Sequence, residues 1–278
     1  MNKKNIFTLI AVAALSWIMV NICHEILGHG LFGILSGLSL KAVNTSTAYL
    51  DVNWDAEIAQ NGFSGLRLTL IGGVLTNFVT SLFACLVLKY RKDLSSQMRL
   101  FLWLFASFSY VIIVMNLVTA PKMGGGDLAG IIRTYDNQGT ASTFILFFGL
   151  VFMILAYIFL QKSYLPKIKG HRSILLSITI IPVLTVIVIQ TLSLLMSPFS
   201  YLPPNQNHLL ASVLMYFHLI LWALVVNAIP SSSKTNSITN IFPESSKKWI
   251  LVALAVSLFY ILILGPGIGS FEGHPGLQ

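Results

Sequence analysis

The sequence predicts an all-α polytopic membrane protein, with about seven transmembrane helices and a short membrane-associated β-hairpin after the first helix. Three observations support this fold class. First, 55% of the 278 residues are hydrophobic and only 9% are charged, whereas soluble domains carry roughly a quarter charged residues. Second, the apolar residues form runs long enough to cross a bilayer. Third, the basic residues fall in short clusters between these runs, as they do in cytoplasmic loops.

The apolar runs set the expected number of helices. A helix needs about 20 apolar residues to cross the hydrocarbon core of a membrane. The first run follows Lys3 and Lys4, as in a signal peptide, but it has no convincing small-residue cleavage site, so we interpret it as an uncleaved helix. The runs that reach or approach the required length are 6–37, 64–88, 100–120, 141–161, 173–196, 208–230 and 248–264.

The basic residues predict the orientation of these helices. With a cytoplasmic amino terminus, most of the 17 lysines and arginines fall in cytoplasmic segments, the exceptions being Lys41, Arg67, Lys122 and Arg133. We therefore expect an integral, multi-pass protein of the lipid bilayer with its amino terminus in the cytoplasm. The net charge of +8 does not indicate nucleic-acid binding, because the basic residues form no single patch.

The segment 40–54, between the first two apolar runs, has a different character. It is rich in β-branched and aromatic residues that alternate loosely with polar ones. Such a pattern favours a short hairpin or an extended strand at the membrane surface, with an irregular loop as the alternative.

The most informative residues are His24, Glu25 and His29, which lie within one of the most apolar stretches of the chain. Ionisable side chains are expensive inside a membrane and usually serve a function there. Two histidines that flank a glutamate on a helix are typical of a site that binds zinc and activates water. The usual spacing between the histidines is four residues, but here it is five, which separates them by about 140° around an α-helix.

This spacing leaves two alternatives. The metal could be bound by a different pair of residues, since Glu25 and His29 are four apart and share a face. Alternatively, the helix could contain a local turn with i→i+5 hydrogen bonds, which would bring His24 and His29 together. Such π-helical turns favour functional sites, and Gly28 lowers the steric cost of forming one.

A third ligand is expected from elsewhere, because catalytic zinc usually has three protein ligands. Asp127 is the strongest candidate, since it follows the third apolar run closely. The first and third helices run parallel, so their ends lie on the same side of the membrane. His24 and His29 occur late in the first helix, and we therefore expect the three residues to converge at similar depth.

The motif HEILGH at 24–29 resembles the HExxGH motif of the dipeptidyl-peptidase III family, which binds zinc through both histidines of this longer spacing. More of the chain, about 6–135, resembles the site-2 protease family of intramembrane zinc metalloproteases. NLVTAP at 116–121 and GGDL at 125–128 are similar to the Asn-x-x-Pro…Asp-Gly segment of that family, and GVLTN at 73–77 is similar to its Gly-Pro-x-x-Asn.

The resemblance to site-2 proteases implies a metallopeptidase that uses Zn²⁺. By this resemblance His24, His29 and Asp127 are the metal ligands, and Glu25 is the general base that takes a proton from the attacking water. The resemblance further implies that Asn77 and Asn116 bind the unwound substrate, a transmembrane peptide or protein, and that segment 40–54 holds it by edge pairing. We expect residues 1–140 to form the catalytic core, with 141–278 adding further helices of unknown role to the same membrane domain.

Two other functions fit the same residues. One is a different membrane zinc hydrolase, acting on a lipid or amide. The other is a non-catalytic metal-binding membrane protein such as a transporter, but the last four apolar runs contain almost none of the ionisable residues that a transport path needs. The sequence does not indicate the substrate or the oligomeric state.

Overall fold

The computed structural model describes residues 3–46, 48–51, 54–119, 126–164, 172–197, 206–228 and 243–271. Most of these residues are helical. In chain order the elements are α1 (Lys3–Ile22), π1 (Cys23–Gly30), α2 (Leu31–Leu35), β1 (Ser39–Val43), β2 (Ala48–Asp51), α3 (Trp54–Asn61), α4 (Ser64–Tyr90), α5 (Ser96–Val114), π2 (Met115–Thr119), α6 (Asp127–Arg133), α7 (Gln138–Tyr164), α8 (Arg172–Leu195), α9 (Gln206–Ala228), α10 (Lys247–Phe259), π3 (Tyr260–Leu264) and β3 (Ile268–Gly269), where π marks a π-helical segment.

Six of the described helical segments are long and apolar enough to cross a membrane, and they match six of the seven predicted runs. The predicted run at 208–230 forms α9, whose apolar part with described side chains, Val213–Ala228, is shorter. The six segments are Asn5–Leu35, Ser64–Tyr90, Ser96–Val118, Gln138–Ile158, Ile174–Leu195 and Lys247–Leu264.

The centre of the bundle is formed by α1 and α5. These two helices pack against each other, and α1 also packs against α8 and α10. Most side chains of both helices are apolar, as expected of helices in the interior of a bundle. Trp17 of α1 and Trp103 and Phe108 of α5 are among the largest fully buried side chains. The central position of α1 carries π1, and with it the histidine motif, into the interior.

Helices α1, α5 and α10 run in the same direction. Their first residues meet at one end of the bundle, where the Ser246 backbone N–H donates to Thr8 Oγ1 at 3.0 Å and Gln97 Nε2 donates to Glu244 O at 3.0 Å. Each of the three helices then continues into a π-helical segment. The parallel course of the first and third predicted helices is therefore confirmed.

The β-hairpin predicted within 40–54 is present, so the alternative of an irregular loop is wrong. Strands β1 and β2 pair antiparallel, and β3 adds to the other edge of β1 to give the order β2-β1-β3. The hairpin lies against the helix that carries the histidines, because a Cβ on Gly33 would be 2.5 Å from Leu50 Cδ1. The third strand was not predicted, since two residues that include a glycine carry no strand signal.

Candidate metal centre

The π-helical segment π1 brings His24 and His29 together. In a helix with i→i+5 hydrogen bonds, residues five apart lie roughly one turn apart and share a face. The centroids of the two imidazole rings are 4.9 Å apart, and both side chains are buried. Of the two alternatives that the five-residue spacing left open, the structure therefore has the π-helical one.

Glycines on both sides allow π1 to approach α4 closely. A Cβ on Gly28 would lie 2.5 Å from Gly73 Cα, and a Cβ on Gly72 would lie 2.8 Å from Gly28 O. Real Cβ atoms do not tolerate such distances to a backbone, so the two backbones touch because side chains are absent here. This contact holds the wider π-helical turn against a rigid neighbour.

Gly73 also makes the space in which the two imidazoles lie. A Cβ at this position would be 2.6 Å from His29 Nε2 and 2.7 Å from His24 Cε1. The sequence analysis did not identify Gly73 as part of the site, although the Gly72–Gly73 pair is visible in it. A pair of glycines more often signals close helix packing, and here the same pair serves both purposes.

Asp127 completes a group of three side chains. Its Oδ2 lies 3.1 Å from His24 Nε2, and its Oδ1 lies 3.3 Å from His29 Nε2. One ligand atom from each of the three residues lies within 4.8 Å of the others. Two donors that bind one zinc ion at about 2.05 Å in tetrahedral geometry are roughly 3.3 Å apart. The three residues could therefore hold a divalent metal ion, and their nitrogen and oxygen donors are of the kind that bind Zn²⁺.

The position of Asp127 is set at both ends of the short helix α6. At its start, Asn116 Oδ1 accepts a hydrogen bond from the Asp127 backbone N–H at 2.9 Å. Gly126 has φ +81°, and a Cβ there would be 2.8 Å from Asn116 Oδ1. After the end of α6, the Arg67 guanidinium donates from Nη2 to Thr134 O at 2.8 Å. The carboxylate is thus presented by a segment that is anchored to π2 and to α4.

The Nδ1 atoms of the histidines face hydrogen-bond partners, which leaves each Nε2 directed at Asp127. His29 Nδ1 lies 2.8 Å from Thr69 O, and a carbonyl can only accept, so Nδ1 carries the proton. A neutral His29 then presents a lone pair to Asp127 Oδ1. Two acceptors at 3.3 Å repel each other unless a proton or a metal cation lies between them. Histidines that bind metals are commonly held in this way through their second nitrogen.

Glu25 lies in the same π-helical segment as both histidines. It is only partly buried, and its carboxylate is close enough to His24, His29 and Asp127 to interact with them electrostatically. Among the described residues, the group whose ligand atoms converge contains the two histidines and Asp127 but not Glu25. Glu25 is therefore placed beside the candidate metal site as a carboxylate that need not bind the ion.

The charge state of Asp127 follows from its neighbours. Burial by itself raises the pKa of the Asp127 carboxyl, but the facing imidazoles of His29 and His24, when they are protonated, outweigh it and hold the pKa below its ordinary value. A positive charge at this position therefore favours the carboxylate form of Asp127, which is the form that binds a metal ion.

Asn77 and Asn116, which were predicted to bind substrate, lie next to the three candidate ligands. Asn77 is fully buried, with its Nδ2 3.1 Å from His24 Nδ1. Asn116 contacts the backbone of Asp127 as described above. Their role in substrate binding stays a prediction.

A second polar cluster lies on α1 one turn before the histidines. We call it the amide–hydroxyl cluster, and it consists of Trp17, Asn21, Gln190 and Tyr260. Trp17 Nε1 donates to Gln190 Oε1 at 3.0 Å, and Tyr260 OH donates to the same oxygen at 3.1 Å. Asn21 Nδ2 donates to Tyr260 OH at 2.8 Å. These groups are neutral, and they join α1, α8 and π3.

Comparison with known proteins adds no family to this description: no protein-family model, curated protein or solved structure shows a significant match to the chain.

Proposed function

We propose that this protein is a zinc-dependent intramembrane metalloprotease that hydrolyses peptide bonds in membrane-embedded substrates. One observation carries the proposal. A π-helical turn aligns His24 with His29, Asp127 meets both imidazoles, and Glu25 lies in the same turn. This is the ligand set and the general base of a zinc hydrolase.

The depth of the group supports hydrolysis within the membrane. The six long apolar segments are proposed to be transmembrane, with the amino terminus in the cytoplasm as the basic residues predict. Gly73, against which the imidazoles lie, is about 14 Å along α4 from its start at Ser64. The group is therefore well inside the span of a helix that is 27 residues long.

Each residue has a defined part in the proposed reaction. A bound Zn²⁺ would supply Lewis acidity and make water nucleophilic at neutral pH. His24, His29 and Asp127 would hold the ion, with His29 oriented by the Thr69 carbonyl. Glu25 would take the proton from the attacking water and pass it to the leaving amine. The half-buried position of Glu25 gives water and substrate a route to this carboxylate.

The neighbouring hairpin favours a peptide as the substrate class. A spanning helix must unwind before its amides can be attacked, and the freed backbone groups then need partners. The edge of β2 lies beside π1, because Leu50 packs onto Gly33 just after the histidine motif. An extended peptide could pair with that edge and reach the metal site. The order of the motifs, which resembles that of site-2 proteases, supports the same substrate class.

The proposal is tested first by metal content and then by turnover. Purified protein should hold about one zinc per chain. Glu25→Gln should keep the metal but release no product from a detergent-solubilised transmembrane peptide with a fluorophore and a quencher at its two ends. Loss of zinc from Glu25→Gln would make Glu25 a ligand and contradict its assignment as base.

The substrate class is tested with the same preparation. Cleavage of a phospholipid or a fatty-acyl amide, with no cleavage of the peptide, would support a different membrane zinc hydrolase. Wild-type protein that folds and binds no divalent cation would contradict the metal site itself.

A further inference from the structure

We infer that Asn77 selects the tautomer of His24, so that rotation of one buried amide switches this histidine between a metal-free and a metal-binding state. The inference rests on the proposed function, because it concerns how the same site accepts its metal. It assigns Asn77 a positioning role, which differs from the substrate contact that the sequence predicted.

The two histidines differ in how their Nδ1 atoms are held. His29 Nδ1 faces a backbone carbonyl, which can only accept, so the tautomer of His29 is set permanently. His24 Nδ1 instead faces the side-chain amide of Asn77 at 3.1 Å. An amide has a donor end and an acceptor end, so this contact is compatible with either tautomer of His24.

In the arrangement that the structure shows, the donor end of Asn77 faces His24. Asn77 Nδ2 donates to His24 Nδ1, and the proton of the imidazole is then on Nε2. His24 Nε2 then presents that proton toward the Asp127 carboxylate, whose Oδ2 lies 3.1 Å away and has no hydrogen-bond partner among the described residues. The electrostatic attraction between this N–H and the carboxylate stabilises His24 and Asp127 side by side without any cation between them.

In the other arrangement the amide is turned by 180°. Asn77 Oδ1 then accepts the proton of His24 Nδ1, and His24 Nε2 presents its lone pair toward Asp127. Both imidazoles are now in the tautomer that a metal ion requires. Each state keeps a hydrogen bond between Asn77 and His24, so the exchange removes no contact between π1 and α4.

The surroundings of Asn77 are consistent with such a rotation. Its side chain is fully buried, yet among the described residues Oδ1 has no hydrogen-bond partner. The amide is therefore tied at one end only. Asn227 Oδ1 likewise has no partner among the described residues, but its Nδ2 donates both to Thr179 Oγ1 at 2.8 Å and to Ala223 O at 2.7 Å, so turning that amide would break two hydrogen bonds with no acceptor to replace them. Asn77 also lies four residues after Gly73, on the face of α4 that the imidazoles touch.

The experiment measures zinc affinity by competition with a chromophoric chelator, using purified full-length protein in detergent. Asn77→Leu removes the hydrogen bond and should weaken zinc binding about 10–100-fold. Asn77→Asp offers only acceptor oxygens, which hold His24 in the metal-binding tautomer, so it should bind zinc at least as tightly as the wild type. Asn227→Leu is the matched control, since it removes a helix-joining amide away from the site and should leave zinc affinity unchanged.

The outcomes separate this inference from the proposed function. A wild-type protein that binds no zinc would contradict the proposed function. A wild type that binds zinc, with Asn77→Leu unchanged or Asn77→Asp weakened, would overturn the inference alone. Full zinc affinity with lost peptide cleavage in Asn77→Leu would return Asn77 to substrate binding. Should Asn77→Leu fail to fold, Asn77→Ala replaces it, and Asn77→Asp still decides by its own affinity.

Discussion

The candidate metal centre and the amide–hydroxyl cluster lie on the same continuous helix, one turn apart, and both are buried polar groups in an apolar bundle. In the amide–hydroxyl cluster, neutral donors from Trp17, Asn21 and Tyr260 meet neutral acceptors. In the metal centre, a carboxylate meets two imidazoles, one of which presents a lone pair when it is neutral. The first cluster is complete as it stands, whereas the second needs a proton or a cation.

The packing around the two clusters also differs, and the difference again sets the candidate metal centre apart. The amide–hydroxyl cluster is enclosed by large side chains, and Trp17 and Tyr260 are among the largest fully buried residues. The metal centre is enclosed by backbone, because glycines remove the side chains that would fill it. Buried polarity therefore does not by itself indicate a site. What singles out the candidate metal centre is a surplus of acceptors in a space that glycines keep open.

The comparison is tested most severely by removing ligands. His24→Ala, His29→Ala and Asp127→Ala should each reduce bound zinc from about one per chain to less than roughly one tenth, since two remaining ligands hold zinc weakly. Zinc per folded chain is measured by elemental analysis after gel filtration. Gln190→Leu, in the amide–hydroxyl cluster, is the control and should keep its zinc. If Gln190→Leu lost as much zinc as the ligand variants do, zinc binding would not depend specifically on these three residues.

Filling the space beside the imidazoles should have the next largest effect. In Gly73→Ala the new Cβ would lie 2.6 Å from His29 Nε2, so both rings must shift and zinc affinity should fall at least about 100-fold. Gly130→Ala is the matched control, because its Cβ would meet the movable end of Leu70 at 2.8 Å. If Gly73→Ala binds zinc as the wild type does, the imidazoles are not held where the structure places them.

The loop before Asp127 should have a smaller effect. Gly126 has φ +81°, so Gly126→Ala adds about 1–2 kcal/mol of backbone strain and pushes on Asn116. If this strain shifts Asp127 away from its position in the site, the lost binding energy should weaken zinc binding about tenfold. Gly37 has a similar φ of +83° with open space around it, so Gly37→Ala carries the strain without the contact. A tenfold loss of affinity in Gly37→Ala as well would attribute the effect to general strain.

The smallest expected effect on the metal comes from the amide–hydroxyl cluster. Tyr260→Phe deprives Asn21 of an acceptor and should lower the free energy of unfolding by about 1 kcal/mol. Zinc affinity should not change, because none of the three candidate ligands belongs to this cluster. Thermal unfolding in detergent gives the first quantity and chelator competition gives the second. Tyr157→Phe is the control: its hydroxyl makes only a 3.4 Å contact to Val225 O, so it should lower the free energy of unfolding by less and also leave zinc affinity unchanged.

Much of the architecture was predictable from local chemistry. The apolar runs predicted the six long helices because burial of backbone groups in an apolar medium requires helices. The β-branched segment after the first run predicted the hairpin. His24, His29 and Asp127 stood out because ionisable side chains are rare in such surroundings. All three residues have ionisable side chains in or next to apolar runs, where such side chains are unusual.

Other features could not be predicted from their residues. Strand β3 contains Gly269, has no strand propensity of its own, and forms only because β1 offers it an edge. Thr69 takes part through its backbone carbonyl, which every residue possesses. The contact between Asn77 and His24 spans 53 positions of the chain.

The candidate ligands, the proposed base and the helical runs could therefore be identified from side-chain chemistry along the chain, because charge and polarity in an apolar run are costly enough to stand out. The sequence did not decide between a π-helical turn and a regular one. The π-helical turn is accompanied by the contact of Gly28 with Gly73, which exists only once π1 and α4 meet. That contact brings His24 and His29 onto one face, and donor–acceptor pairing with α4 then decides which nitrogen of His29 carries its proton.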